Sequence, residues 1–390
     1  MKRTKLRIIG TSVTLLDVIR KSAEEDLGLD IQYEILDGVN CQQKAVTCPD
    51  EFDVYDQWFN SVDLLWTAGA IQPIETSRIT LWDQVSNLTK TGRISLSDKL
   101  GQGANPSDVQ FIQADDSLSS AQTEQITMLP TAHNVDAFVY NPAVGNHYLS
   151  EKMESWSWLF DDEWHGKIGL TSDPAIGIAD VALGAQAAGL VQFKDIGNMS
   201  VDEIDRLVSL LIEKKKNGHF RHFWSTLAES FNMMDRKKTV IASMWSPAII
   251  SLQASGQKIK SASPIEGYRG WHSGLSLSSH LDGERLDAAY AYLNWWLSGK
   301  AGAIVARQGY YISVPNATRD FLSEDEWNYW YEGHPSQSNI RDPDGRTIVR
   351  KGKRRDGGSY SERMSNIALW SPLMDEHNYL VRRWNEFLDA

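Results

Sequence analysis

Positive charge in excess, cysteine and catalytic signature motifs are what this sequence has least of, and each shortage removes a class of function. Lysine and arginine number 39 against 51 aspartates and glutamates, giving a net charge of −12 at pH 7. A phosphate backbone is met by a basic surface, so nucleic acid is excluded as a partner. No G-x-S-x-G, P-loop, H-E-x-x-H or C-x-x-C occurs, and no nucleophile–base pair stands out. The chain is therefore expected not to be an enzyme and to need no cofactor. The glycines of GQG at 101–103 follow a polar segment, not a strand, which argues against a dinucleotide fingerprint. No apolar run is long enough to span a membrane. The start, MKRTKLRIIGTSVT, is basic but lacks a long apolar stretch, so it reads as a strand and turn; an exported chain is expected to have lost its leader. The only thiols are Cys41 and Cys48, with six residues between them. No adjacent Cys or His completes a zinc set, and a small disulfide loop in an oxidising compartment is the expectation.

What the chain does have is ordinary globular composition, 42% hydrophobic and 23% charged over 390 residues, enough for two domains. Fifteen tryptophans are many for that length, and the indole face serves both cores and ligand-stacking walls. KLRIIG, TLLDVIRKSAEEDLG and LDIQYEIL read as strand, helix and strand, a βαβ unit of a parallel α/β sheet. EFDVYDQWFNSVDLLWTAG adds a strand and a helix ending at Gly69. The Ser- and Gly-rich stretch from NLTKTG to SAQTEQ is expected to be a surface loop region, and SWSWLFDDEWHG an aromatic-anchored helix before the strand KIGLT. SVDEIDRLVSLLIEKKKNG places acids early and lysines late, as a helix dipole favours. ERLDAAYAYLNWWLSGKAGAIVA reads as two helices split near Gly299. DPDGRTIVRKGKRRDGGSYSERM is expected to be an exposed basic loop before a final helix. His219 and His222 in GHFRHFW have i,i+3 spacing, but no third metal ligand is evident.

Polar and aromatic residues recur just past the predicted strand ends: Thr11 and Ser12, Trp58 and Asn60, Thr171 to Asp173, Trp245 and Ser246. In open α/β sheets, ligands bind beyond the carboxyl ends of the strands. Asp173 also suits the N-cap of a helix whose first residue is Pro174.

Five segments, in order, carry a family resemblance: MLPTAHNVDAFVYN, SWSWLFDDEWHGKIGLTSDP, KKTVIASMWSPAIISLQASGQKI, IEGYRGWHSGLSL and AYAYLNWWLSGKAGAIVARQGYYISVPNA. Together they resemble the periplasmic substrate-binding proteins of ABC transporters, of the spermidine/putrescine-binding group. The resemblance implies the α/β, two-lobed periplasmic binding protein fold (type II). Each lobe would be a mixed sheet flanked by helices, with crossing hinge segments that let the lobes close on a ligand. Lobe 1 would take residues 1–132 and 274–345, lobe 2 residues 133–273, and 346–390 would form a C-terminal loop and helix packing across them. It further implies a monomer in the periplasm that hands a small-molecule solute to a membrane permease, with no metal.

By the same resemblance the polyamine site falls on Trp58, His133, Asp173, Trp245, Trp271, Ser273 and Tyr310. Trp245, Trp271 and Tyr310 keep the aromatic character that faces a cation or an alkyl chain. Ser273 and Ile176 stand where polyamine binders carry acids, and His133 stands where they carry Trp. A diamine or triamine would then lack carboxylate partners for its ammonium groups. One acid in an aromatic cage with hydroxyls nearby suits a monocation or a small zwitterion. A sugar or another neutral or anionic solute is the alternative. Ferric ion, held by Tyr310 and Tyr311, is a further reading, although neighbours in an extended segment point opposite ways.

Overall fold

A computed structural model describes residues 3–103, 105–143, 153–236, 238–342, 345–370 and 374–390. The chain divides into two compact units. Unit 1 comprises Met1–Leu96, Asn105–Asn134 and Trp271–Ser323; unit 2 comprises Ser97–Ala104, Val135–Gly270 and Glu324–Ala390.

Unit 1 begins with the βαβ unit. Leu6, Ile8 and Ile9 of the strand Lys5–Gly10 are buried, and the strand pairs in parallel with Asp30–Ile35 on one side and Val54–Trp58 on the other. The helix Asp17–Leu27 makes the first crossover and stops at Gly28, whose φ of 69° is the left-handed conformation that ends helices. Beyond Val54–Trp58 the order continues through the long strand Tyr268–Ser278, then Leu129–Asp136, then Tyr311–Ile312. Every residue of Tyr268–Ser278 is buried, as befits a strand covered on both faces. It enters unit 1 at Trp271 and runs antiparallel to Val54–Trp58, with Ser273 opposite Trp58. Tyr292, Leu293 and Trp296 of the helix Gly283–Leu297 pack into the core of this unit. Gly299, at φ 103°, separates that helix from Lys300–Ala306; a Cβ there would sit 1.9 Å from the Ala317 carbonyl oxygen.

Unit 2 has its own sheet, ordered Phe220–Trp224, Ile168–Thr171, Ile241–Ser243, Phe138–Tyr140 and Lys260–Ser261. The first three strands are parallel and the last two pairings antiparallel. The helix Val201–Lys216 starts with a capping box in which Ser200 and Glu203 satisfy each other's backbone N–H groups. The helix His377–Asp389 closes the chain and sends Trp384 and Phe387 into the core of unit 2.

Several expectations change. The thiols of Cys41 and Cys48 are free. The helix Gly38–Thr47 runs between them, and seven residues of α-helical rise is about 10 Å, beyond the reach of a disulfide. The polar stretch after Ser86 contains the helix Asn87–Thr91 and short strands at Phe111–Ile112 and Leu118–Ser119, because Leu88, Phe111 and Ile112 need burial. SWSWLFDDEW forms two short 3₁₀ turns, Trp156–Phe160 and Asp162–Trp164, with three tryptophans buried. The basic tail is not uniformly exposed: Arg355 and Arg363 are buried, and Arg363 donates to the carbonyls of Val135 and Asp356. Asp344 and its predecessor Pro343 in that tail lie outside the described residues. The glycines of GQG serve packing in unit 2. A Cβ on Gly197 would lie 1.9 Å from the Gly103 Cα, and Gln102 exchanges backbone hydrogen bonds with Ala368 and Trp370.

Candidate functional site

Polar and aromatic residues lie at or just past several parallel strand ends in each unit. In unit 2, Thr171 closes the strand Ile168–Thr171 opposite Trp224. Its backbone N–H donates to the Ser243 hydroxyl at 3.1 Å, and the Ser172 N–H donates to the Trp224 carbonyl at 2.8 Å. Asp173 then caps the helix Pro174–Ala187, its Oδ1 accepting from the Ile176 N–H at 3.0 Å, with Pro174 in the first turn. Burial pushes the Asp173 carboxyl up, against the pull of the Ile176 and Ala175 N–H groups and of the nearby Arg269 and His377. The hydroxyls of Ser172 and Ser225 lie 2.8 Å apart. Trp245, half-buried, precedes the helix Ser246–Ala254, whose first turn has no side-chain cap from it. Its ring meets Trp224 edge-on, centroids 5.0 Å apart at 87°. The Trp224 indole N–H donates to the Ser243 carbonyl, so the supporting ring is fixed.

In unit 1, Thr11 and Ser12 follow the strand Lys5–Gly10, Thr11 buried and Ser12 exposed. Trp58 ends its own strand and Asn60 lies in the 3₁₀ turn Phe59–Ser61, both half-buried. Ser273, opposite Trp58, is buried. Trp271, on the same face of that strand as Ser273, packs edge-on against Tyr310 with centroids 5.3 Å apart. Both rings belong to the hydrophobic cluster of unit 1, 7% and 3% exposed. Tyr311 pairs with His133 across the ladder, rings 6.0 Å apart, so the adjacent tyrosines have different neighbours. Burial, aided by His272, pushes the His133 imidazole down to about 3, and burial alone pushes His272 down to about 4. Both are neutral at ordinary pH, and His133 is fully buried.

A family model described as bacterial extracellular solute-binding protein matches residues 22–330. The chain belongs to this family. Its members are binding proteins rather than enzymes, and those serving ABC importers deliver a small-molecule solute to a permease. No curated protein matches the chain. Among solved structures it resembles the spermidine/putrescine ABC transporter substrate-binding protein PotD of Streptococcus pneumoniae, crystallised with calcium and HEPES. The two share 14% identity over 98% of this chain and 99% of that one, with a TM-score of 0.65. The PBP MotA of A. tumefaciens B6, in complex with glucopine, aligns at 8% identity over 98% and 99%, TM-score 0.61. A structure described as the Atu4243-GABA receptor aligns at 15% identity over 98% and 97%, TM-score 0.58. These likenesses establish the two-lobed periplasmic binding protein fold. No described helix is long and apolar enough to cross a membrane.

Trp224 and a buried charge cluster of this solute-binding chain carry no local sequence signature. The one available signal is that the final Trp of FRHFW ends a strand, as Trp58 does. Arg269, 4% exposed, donates to Asp180 at 2.8 Å and lies 3.8 Å from Asp136. Burial opposes its charge, but Asp180, Asp136 and then Asp173 more than offset that and raise its pKa. Arg269 thus anchors the start of the strand that carries Trp271 and Ser273.

Proposed function

We propose that this protein captures a small organic solute bearing one cationic head, an amino-acid-like zwitterion or a monoamine, for a bacterial ABC importer. In this reading it works as a monomer in the periplasm. The observation that carries it is the unit 2 set: one carboxylate at Asp173, next along the chain to a strand end whose partner, Trp224, braces Trp245. A cation is favoured by a carboxylate and an aromatic face together. The amino end of the helix Ser246–Ala254 and the hydroxyls of Ser172 and Ser225 suit the anionic or polar end of such a solute.

Of the unit 1 residues expected from the sequence, Ser12, Trp58 and Asn60 are the accessible ones, whereas Trp271 and Tyr310 lie in the core of that unit. Spermidine is disfavoured because Ser273 and Ile176 offer no carboxylate. The GABA and glucopine of the structural relatives are solutes of those proteins, and they make amino acids and their conjugates the first compounds to try. A thermal-shift screen against amines, betaines, amino acids, sugars and organic acids tests the class, since a ligand raises the midpoint by mass action. Asp173→Asn is expected to weaken a cationic solute at least about tenfold, as loss of a buried charge partner does. A sugar hit that is indifferent to this change would overturn the reading.

A further inference from the structure

His219, noted in the sequence beside His222, has different company in the fold. His165 precedes the strand Ile168–Thr171 and His219 precedes Phe220–Trp224; these strands are parallel and Ile168 pairs with Phe220. Both imidazoles therefore belong to the amino ends of neighbouring strands, and the turn Asp162–Trp164 brings a carboxylate beside them. One candidate ligand atom from each of Asp162, His165 and His219 lies within 4.8 Å of the others. The two imidazole rings meet at 5.6 Å and 62°.

The state of His219 gives the cluster its meaning. The residue is 1% exposed, and its Nε2 lies 3.0 Å from the Leu159 carbonyl oxygen. A carbonyl only accepts, so Nε2 carries the proton and Nδ1 holds the lone pair. That Nδ1 is buried and has no hydrogen-bond partner among the described residues. Buried polar atoms left without a partner are few in folded proteins, and an unfilled ligand position is one reason for such an atom.

We propose that Asp162, His165 and His219 bind a divalent transition-metal ion of the zinc type. Two imidazoles and one carboxylate are a zinc donor set, whereas calcium and magnesium want oxygen ligands throughout. The Nε2–H to carbonyl bond is the outer-shell contact that orients metal-binding histidines. Tetrahedral zinc with bonds of about 2.0–2.1 Å sets its ligand atoms roughly 3.3 Å apart, so the side chains close by about 1.5 Å at most. Asp162 and His165 are exposed and free to make that adjustment. Lys214, whose Nζ lies 3.7 Å from Asp162, swings aside as the ion binds. The site sits at the strand ends opposite Thr171 and Trp224, so its role is to clamp the Asp162–Trp164 turn to the start of Phe220–Trp224, not to hold the solute.

Zinc chloride titrated by calorimetry into the tag-free, chelator-treated full chain tests this. One equivalent is expected to bind. His165→Ala carries the test because that residue is exposed; it should weaken binding at least about tenfold, the lower end of what losing even a supporting contact costs. His222→Ala should leave binding unchanged. Cobalt(II) should give the visible d–d absorption of a tetrahedral site in the wild type and not in His165→Ala. Absence of stoichiometric zinc binding, equal affinity in His165→Ala, or loss of binding in His222→Ala instead would each overturn the assignment.

Discussion

Asp56 is expected to make the protein less stable as pH rises from the acid range towards neutrality. The residue sits in the strand Val54–Trp58, opposite Gly10 and Leu275, and is fully buried. Neither carboxyl oxygen has a close hydrogen-bond partner among the described residues, and the Thr14 hydroxyl pulls the carboxyl down only slightly against its burial. Burial dominates and pushes the pKa from 3.8 up to about 7. The sign follows from proton counting. Between these values the folded chain keeps a proton that the unfolded chain has released, so stability falls with rising pH by about 1.4 kcal/mol per unit. The stability is fully present below the unfolded value and the loss stops once the folded carboxyl itself ionises. Asp56→Asn replaces the protonated acid with a neutral group of the same shape. From about pH 5 to about pH 8 the wild type should lose roughly 2–3 kcal/mol relative to this variant. Urea unfolding of both proteins at the two pH values measures the difference. An equal gap at both would refute the reasoning.

Arg269→Met leaves Asp180 and Asp136 buried without their cation, and about 3–5 kcal/mol of stability should be lost in denaturant titration; a loss below about 1 kcal/mol would mean that the aspartates find other partners or protons. Burial, with Asp56 next among the causes, pushes the Cys41 thiol up to about 12. In the native chain only Cys48 should therefore react with a thiol reagent, Cys41 following on unfolding, while a reductant leaves the melting temperature unchanged. A chain with no reactive thiol even when unfolded would restore the disulfide.

Local pattern carried much of the fold. Alternation and capping residues were enough to locate the first βαβ unit, the Asp173–Pro174 helix start and the break at Gly299, because each depends on neighbours in sequence. Contacts across long separations were not legible. Arg269 and Asp180 are 89 residues apart, and charged residues default to the surface unless a partner is known. Trp245 was visible as a strand-end aromatic, but the Trp224 bracing it could not be seen without the pairing of the two strands. His219 was read with the histidine three residues on, whereas its neighbour comes from a turn more than fifty residues earlier. The cysteines failed for a local reason: the helix between them holds them a turn count apart that no disulfide spans. Residues expected at strand ends, such as Trp58 and Trp245, do lie at or just past them, but the burial of Trp271 and Tyr310 in the core of unit 1 is not conveyed by that pattern.

The most direct test of the account is calorimetric titration of the strongest solute from the thermal-shift screen into the wild type and Trp245→Ala. One solute per chain is predicted for the wild type, with affinity lowered by about 1–2 kcal/mol, roughly tenfold, when the Trp245 face is removed. A wild type that binds no solute of any class, or a Trp245→Ala protein that binds as tightly, would contradict it.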